Sequence, residues 1–255
     1  MKNISYPRRI NVLWLTGLVW MFCNSFCFAE DKPVALWHFD EKEGAAVADS
    51  SGNNITGTLH NAEWNKTGLF ENCLKFNGTN GFVEIGQPPK MDFGKGGFTI
   101  ELWAIIDPEV KCGVIIGNGG PYGAGKAMLR VQDETKKDKT TEKRLVFTTG
   151  KWAPAPESKD SPDLWVTFPA ACLGKWTHIA AVRSNGALYV YLDGSQADVQ
   201  AGQGRKPNQD ISGGVWIIGA NDGGTHEFFK GEIDEVSIYN YARTPKQILG
   251  DANSL

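Results

Sequence analysis

Three carboxylates stand within a short stretch near the C-terminal end of the chain: Glu232, Asp234 and Glu235. Retaining hydrolysis of a glycosidic bond needs two carboxyl groups about 5 Å apart on one surface, one as nucleophile and one as acid and base. On a strand, alternate side chains share a face, so Glu232 and Asp234 point together and Glu235 points away. The next positions on that face, without or with a bulge, hold Val236 and Ser237. The stretch therefore predicts no complete glycosidase pair, and no catalytic residue is assigned.

Aromatic residues in loops are the next candidates, because a glycan is bound by aromatic faces with polar groups nearby. Four Trp lie inside strand patterns and are predicted to belong to the core: Trp37, Trp103, Trp176 and Trp216. The predicted ligand-binding residues are Tyr122, Trp152, Trp165, Asp222 and His226. The alternative is that these side chains anchor loops on the domain.

Residues 1–29 have the composition of a secretory signal peptide, with a basic start, a long apolar run and Ala29 before the first acidic residue. Cleavage after Ala29 predicts a mature domain of residues 30–255 that is secreted, periplasmic or held at the cell surface. The apolar run is also long enough to act as an uncleaved anchor.

The charge of the chain limits its partners. Without residues 1–29 it has 23 basic and 29 acidic residues, a formal charge of −6. A mildly acidic chain without a basic stripe is repelled by a polyphosphate, so nucleic acid is excluded as a partner. No second long apolar run follows, so the mature domain is predicted not to span a membrane.

Three cysteines follow the signal: Cys73, Cys112 and Cys172. In an oxidising compartment one disulfide could form among them, and all three pairings are open. The alternative is that the three side chains are small buried residues.

From residue 33 onward, short runs of alternating apolar and polar residues are separated by Gly, Asn and Asp, which is typical of strands and turns. About a dozen strands and one helix are predicted, the helix over 245–252 with Thr244-Pro245 at its start. Asn185-Gly186 predicts a tight hairpin turn. The fold class is therefore all-β, a sandwich or a barrel.

An ordered series of motifs accompanies these strands, including Leu36-Trp37-His38-Phe39-Asp40, Phe98-Thr99-Ile100-Glu101-Leu102-Trp103, Leu188-Tyr189-Val190-Tyr191-Leu192-Asp193-Gly194 and Gly231-Glu232-Ile233-Asp234-Glu235. The series covers about residues 33–250 and resembles the laminin-G-like jelly-roll family of the concanavalin-A-like lectin and glucanase superfamily. The resemblance implies a sandwich of two antiparallel jelly-roll sheets, used in many members for carbohydrate binding or adhesion.

The resemblance also implies a structural calcium site, because an acidic residue of the last strand often meets the end of the first strand in such modules. Here Asp234 would meet Asp40 and Asp49. Calcium takes six to eight oxygen ligands in irregular geometry, so carboxylates distant in sequence suit it. The alternative is that Asp234 accepts backbone hydrogen bonds and that residues 49–52 form a turn.

The function expected from these observations is an exported, non-catalytic binding module, with an extracellular or cell-surface glycan as its partner. One alternative is an adhesion domain with a protein partner. Another is a glycan-cleaving enzyme of the same superfamily, although the third carboxylate of its Glu-x-Asp-x-x-Glu motif is missing here.

Overall fold

The computed structural model describes residues 31–119, 126–150, 163–201, 210–221 and 223–254. The strands of the first half are β1 (Ala35–Trp37), β2 (Ala46–Val47), β3 (Gly57–His60), β4 (Glu63–Asn65), β5 (Cys73–Asn77), β6 (Phe82–Gly86), β7 (Phe98–Ile106) and β8 (Cys112–Gly117). The later strands are β9 (Ala127–Thr135), β10 (Thr141–Thr149), β11 (Asp163–Thr167), β12 (Trp176–Ser184), β13 (Ala187–Leu192), β14 (Ser195–Gln196), β15 (Val199–Ala201), β16 (Trp216–Ile218) and β17 (Lys230–Tyr239). The helices are α1 (Pro245–Ala252) and two 3-10 turns, Pro89–Met91 and Ala170–Cys172.

The strands form two antiparallel sheets. The eight-stranded sheet has the order β14-β13-β12-β7-β17-β5-β4, and β1 also pairs with β17. The nine-stranded sheet has the order β15-β11-β10-β9-β8-β16-β6-β3-β2. Neighbours far apart in sequence, such as β7 and β17, are characteristic of a jelly roll. The predicted all-β jelly-roll sandwich with one short C-terminal helix is confirmed.

The core lies between the two sheets and follows the alternation of each strand. In β7, Phe98, Ile100 and Leu102 belong to the core, whereas Thr99 and Glu101 point to the outer face. Fully burying one such apolar side chain contributes roughly 1.5–3 kcal/mol. The alternate positions therefore hold the sheets together and leave the others for the outer surface.

Two predicted local elements form as expected. Asn185 and Gly186 have φ of 49° and 78° and connect β12 to β13 in a two-residue turn. Helix α1 has Pro245 in its first turn, and Thr244 and Gln247 form a capping box. No helix in the described ranges has the length and apolar character needed to cross a bilayer.

Strand β17 contains a bulge that changes which side chains share a face. Ile233 and Val236 both belong to the core, although they are three residues apart. The register with β7 shifts between Asp234 and Ser237, and Glu235 has φ of 52°. The bulge adds one residue to β17, so core and outer positions alternate again after it but are shifted by one residue. The expectation that Glu235 points away from the face shared by Glu232 and Asp234 is therefore wrong.

The three cysteines are free thiols, so the disulfide considered from the sequence does not form. Cys73 lies in the eight-stranded sheet and Cys112 in the nine-stranded sheet. Burial and a nearby carboxylate raise the pKa of Cys73 to about 12 and that of Cys112 to about 11. Both therefore stay protonated and unreactive at neutral pH. The alternative was that all three cysteines are buried. This holds only for Cys73.

Candidate functional site

A cavity of about 470 Å³ opens on the outer face of the eight-stranded sheet. Glu101 and Trp103 of β7, His178 of β12 and the bulged part of β17 contribute to it. We call it the Trp103 pocket. Its lining residues are Pro33, Leu36, Phe70, Glu101, Trp103, His178, Glu235, Ser237, Tyr239, Asp251 and Ser254.

The register of three neighbouring strands brings these side chains together. Trp103 lies opposite His178 on one side and Asp234 on the other. Glu101 lies opposite Ser237. Since alternate residues share a face, all of these side chains point outward. Trp103 is buried, as predicted, but its side chain lies on the outer face of the sheet and not between the two sheets.

One oxygen of the Glu101 carboxylate accepts a hydrogen bond from another side chain, and the other oxygen has no partner among the described residues. Glu101 is 2% exposed, and its Oε1 accepts a hydrogen bond from Nη1 of Arg243 at 2.9 Å. Arg243 also contacts Asp251, and its guanidinium lies 4.3 Å from the centre of the Tyr239 ring. Oε2 of Glu101 lies 3.4 Å from Nε2 of His178 without hydrogen-bond geometry. This oxygen is buried and has no hydrogen-bond partner among the described residues.

His178 places an imidazole beside this carboxylate. The residue is 2% exposed, and its ring packs edge-on against Trp103 with centroids 5.2 Å apart. Nδ1 of His178 has no hydrogen-bond partner among the described residues. A buried polar atom left unsatisfied costs about 1–3 kcal/mol. Two residues with such atoms line one cavity, which makes this cavity a candidate binding site.

Glu235 borders the same cavity on the β17 side. Both of its carboxylate oxygens lie 2.9 Å from Nδ1 of His38. Burial raises the pKa of Glu235, and the hydrogen bond with His38 opposes that rise. The bulge therefore adds a second carboxylate, with its own partner, to the pocket.

A second cavity, of about 440 Å³, lies beside the β9–β10 hairpin. Its buried cation is Lys143, which pairs with Asp133 and donates to the carbonyl of Val110. None of its described lining residues has a buried polar atom without a partner, whereas Glu101 and His178 of the Trp103 pocket each have one, so the Trp103 pocket is the stronger candidate.

Asp40 and Asp49, two of the predicted calcium ligands, hold the chain after β1. Asp49 accepts hydrogen bonds from the backbone amides of Ser51 and Ile55, both at 2.9 Å. Burial acts to raise the pKa of Asp49, but these amides hold it below its ordinary value. Asp40 accepts a hydrogen bond from the amide of Asn72 at 3.2 Å. Both carboxylates therefore act as acceptors for backbone amides.

Asp234, the third predicted calcium ligand, does the same. Its Oδ2 accepts hydrogen bonds from the amides of Leu69 and Phe70 at 2.9 and 3.2 Å, and its Oδ1 accepts one from Glu235 at 2.9 Å. Within the described ranges, no group of three or more His, Cys, Asp or Glu could hold a metal ion. Ca²⁺ binding by Asp40, Asp49 and Asp234 stays a prediction of the sequence.

The pKa of Asp234 predicts a pH-dependent stability. Burial raises this pKa from 3.8 to about 7, against the opposing effect of its amide hydrogen bonds. The folded state therefore retains a proton that the unfolded chain releases. The associated stability is complete below pH 3.8 and is lost as the pH rises to about 7. Over that window the change is on the order of 4 kcal/mol.

The variant Asp234→Asn should remove this dependence, because asparagine does not titrate. The measurement is urea unfolding of both proteins at several pH values across the window. Asp138→Asn, on an exposed turn, is the control and should keep the slope of the parent. Parallel curves for the parent and Asp234→Asn would contradict the prediction.

Trp165 does not lie on the open surface that the sequence predicted. It belongs to β11, opposite Val146, and only 8% of it is exposed. The guanidinium of Arg144 lies 5.9 Å from its ring centre. Trp165 faces away from the core between the sheets but is covered. It therefore fits the alternative, in which the side chain anchors the chain on the domain.

The other predicted ligand residues do not line the Trp103 pocket in the part of the chain that is described. Tyr122, Trp152 and Asp222 lie outside the described residues. His226 is exposed, and its Nδ1 lies 3.0 Å from Oγ1 of Thr225. The sequence-based set and the pocket therefore share no described residue.

The sequence contained one signal for the pocket. Glu101 and Trp103 alternate with Ile100 and Leu102, which places an acid and an aromatic ring on the same outer face. His178 could not be added, because the pairing of β7 with β12 joins residues distant in the chain.

Solved structures share the fold at low sequence identity. Domain 4 of an extracellular arabinanase from Geobacillus stearothermophilus, in complex with arabinotriose, has a TM-score of 0.59 at 22% identity, covering 87% of this chain and 98% of that chain. The binding domain of botulinum neurotoxin DC in complex with SialylT has a TM-score of 0.61 at 16% identity, covering 88% of this chain and 52% of that chain. Trypanosoma rangeli sialidase has a TM-score of 0.59 at 20% identity, covering 87% and 33%.

The chain thus spans nearly all of the arabinanase domain, about half of the toxin binding domain and a third of the sialidase. No curated protein sequence matches it. The family model described as concanavalin A-like lectin/glucanases superfamily matches residues 77–249, which is more than half of the chain. With its two antiparallel jelly-roll sheets, the chain belongs to the concanavalin A-like lectin/glucanase superfamily.

Proposed function

We propose that the protein is an exported, non-catalytic carbohydrate-binding module that holds its ligand in the Trp103 pocket. The observation that carries the proposal is the lining of this cavity. Trp103 contributes an aromatic ring to the wall, and Glu101 and His178 contribute polar side chains that each have an atom without a hydrogen-bond partner among the described residues. Carbohydrate sites combine these two kinds of contact.

The structural neighbours support a glycan as the ligand. The arabinanase domain is a module of nearly the same extent, in complex with arabinotriose, and the toxin binding domain is in complex with SialylT. Export is supported by the signal-like composition of residues 1–29, and it would bring the module to extracellular or cell-surface glycans.

We propose that the protein is not an enzyme because its candidate carboxylates are already bonded to other groups. Asp234 is fully buried and accepts three amide hydrogen bonds. Glu101 is bound to Arg243, and Glu235 to His38. Each acid is already held by another group, which suits recognition better than an acid and nucleophile pair poised about 5 Å apart.

The variant Trp103→Ala should weaken binding of every recognised glycan roughly tenfold or more, which corresponds to about 1.4 kcal/mol. A glycan array identifies the ligands, and isothermal titration calorimetry measures the affinities. The control is Trp64→Ala, a half-buried Trp of β4 that does not line the pocket and should leave the affinity unchanged. Circular dichroism confirms that both variants are folded.

Three outcomes would contradict the proposal. Equal loss of affinity in the Trp64 variant would place the site elsewhere. Release of reducing sugar from a polysaccharide would show an enzyme. Binding to no glycan at all would favour the second candidate, a protein-binding adhesion domain, which is suggested by the toxin binding domain in complex with rat synaptotagmin II, at a TM-score of 0.58 and 16% identity.

A further inference from the structure

We infer that the Trp103 pocket selects a sugar that carries a protonated amino group, such as an unacetylated hexosamine unit. The inference rests on the proposed function and adds the chemical class of its ligand. Three features of the pocket carry it: an excess of carboxylates, a buried acceptor oxygen and an aromatic wall.

Carboxylates outnumber cations in the pocket. Among the described lining residues are Glu101, Glu235 and Asp251, and none is Lys or Arg. Arg243 does not line the pocket, but its guanidinium contacts the carboxylates of both Glu101 and Asp251. His38 is the partner of Glu235, and Nε2 of His178 lies 3.4 Å from Oε2 of Glu101. A cationic ligand would balance the remaining negative charge, whereas an anionic sugar would be repelled.

The buried acceptor oxygen of Glu101 favours a charged hydrogen-bond donor over a neutral one. Oε2 of Glu101 is buried and has no hydrogen-bond partner among the described residues, although Nε2 of His178 is close. Hydrogen bonds from an ammonium group to a carboxylate are about twice as strong as neutral ones, and burial strengthens them further. A sugar hydroxyl would gain less at this position than an amino group.

Trp103 adds a third contribution. Indole is the best aromatic partner for a cation, and an ammonium group over its face is attracted by the ring quadrupole. Glu101, His178 and Trp103 line one cavity of about 470 Å³. That volume admits a sugar residue together with its amino group.

The test compares two glycans with the same sugar backbone, one with free amino groups and one with N-acetylated amino groups. Chitosan and chitin oligosaccharides of equal length are titrated into the full protein at mildly acidic pH, where the free amines are protonated. We expect the chitosan oligosaccharide to bind at least tenfold more tightly. Because the charge drives this difference, the preference should shrink with increasing salt.

Three variants test whether the preference for chitosan arises in the Trp103 pocket. Glu101→Gln should abolish the preference for chitosan, since it removes the charge and keeps the shape. Asp251→Asn, at the partly exposed rim, should reduce the preference and leaves the buried ion pair of Glu101 with Arg243 in place. The control is Glu84→Gln, an exposed carboxylate of β6 in the other sheet, which should keep the full preference.

The outcomes separate this inference from the proposed function. Equal binding of both oligosaccharides, or a preference for chitin, overturns the inference and leaves a neutral-glycan module. The same holds if neither binds while another neutral glycan does. A preference that survives Glu101→Gln overturns its assignment to the pocket. Binding to no glycan, or only to lysine-bearing peptides, overturns the proposed function as well.

Discussion

Gly231→Ala is expected to lower the free energy of unfolding by more than about 3 kcal/mol. Gly231 has φ of 150°, which side chains rarely adopt. A β-carbon there would overlap the backbone carbonyl of Ile105 and lie 2.8 Å from the Phe229 ring. Gly231 pairs with Phe76 on β5 and with Ile106 on β7, so neither neighbouring strand can move away without breaking its own ladder.

The matched control is Gly250→Ala, the same substitution inside helix α1. Nothing lies within 4 Å of the new β-carbon at that position. Alanine is a better helix former than glycine by about 1 kcal/mol, so this variant should be slightly more stable than the parent. Urea unfolding of the three proteins checks both signs. A loss below about 1 kcal/mol for Gly231→Ala would contradict the argument.

The second large effect is expected for Arg243→Met, which should cost about 3–5 kcal/mol of stability. The variant keeps most of the side-chain volume but leaves the carboxylate of Glu101, 2% exposed, without its cation. Thermal and urea unfolding measure the loss.

Two further variants separate charge from packing. Replacing both Arg243 and Glu101 by Met should recover most of the lost stability, because no buried charge is then left unpaired. Asp251→Asn should cost less than about 1 kcal/mol, since its side chain is 45% exposed. If the double variant is as unstable as Arg243→Met alone, the effect comes from packing around the guanidinium instead.

Residues close together in the chain predicted several elements correctly. The turn at Asn185-Gly186 requires two positive φ angles in succession, which these two residues adopt readily. Helix α1 begins where Thr244 and Pro245 supply a cap and a preset φ. Both elements depend on a few neighbours, so the sequence was sufficient.

The sandwich itself was also predictable, because the alternation of each strand reports which residues are buried. In β7 the apolar residues at every second position mark the core face, and the residues between them mark the outer face. The family resemblance then supplied the jelly-roll order of the strands. What alternation cannot report is whether an outward side chain meets solvent or is covered. Trp103 and Trp165 are both outward and both buried.

The opening stretch of carboxylates illustrates the division between sequence and tertiary structure. The sequence determined that Glu232, Asp234 and Glu235 lie on the last strand and form no regular catalytic triplet. Only the tertiary structure decided that a bulge turns Glu235 outward and that buried Asp234 bonds three backbone amides. It also decided that Glu101 meets His178 in one pocket. These contacts join strands distant in the chain, so their geometry follows from sheet pairing and cannot be derived from local sequence.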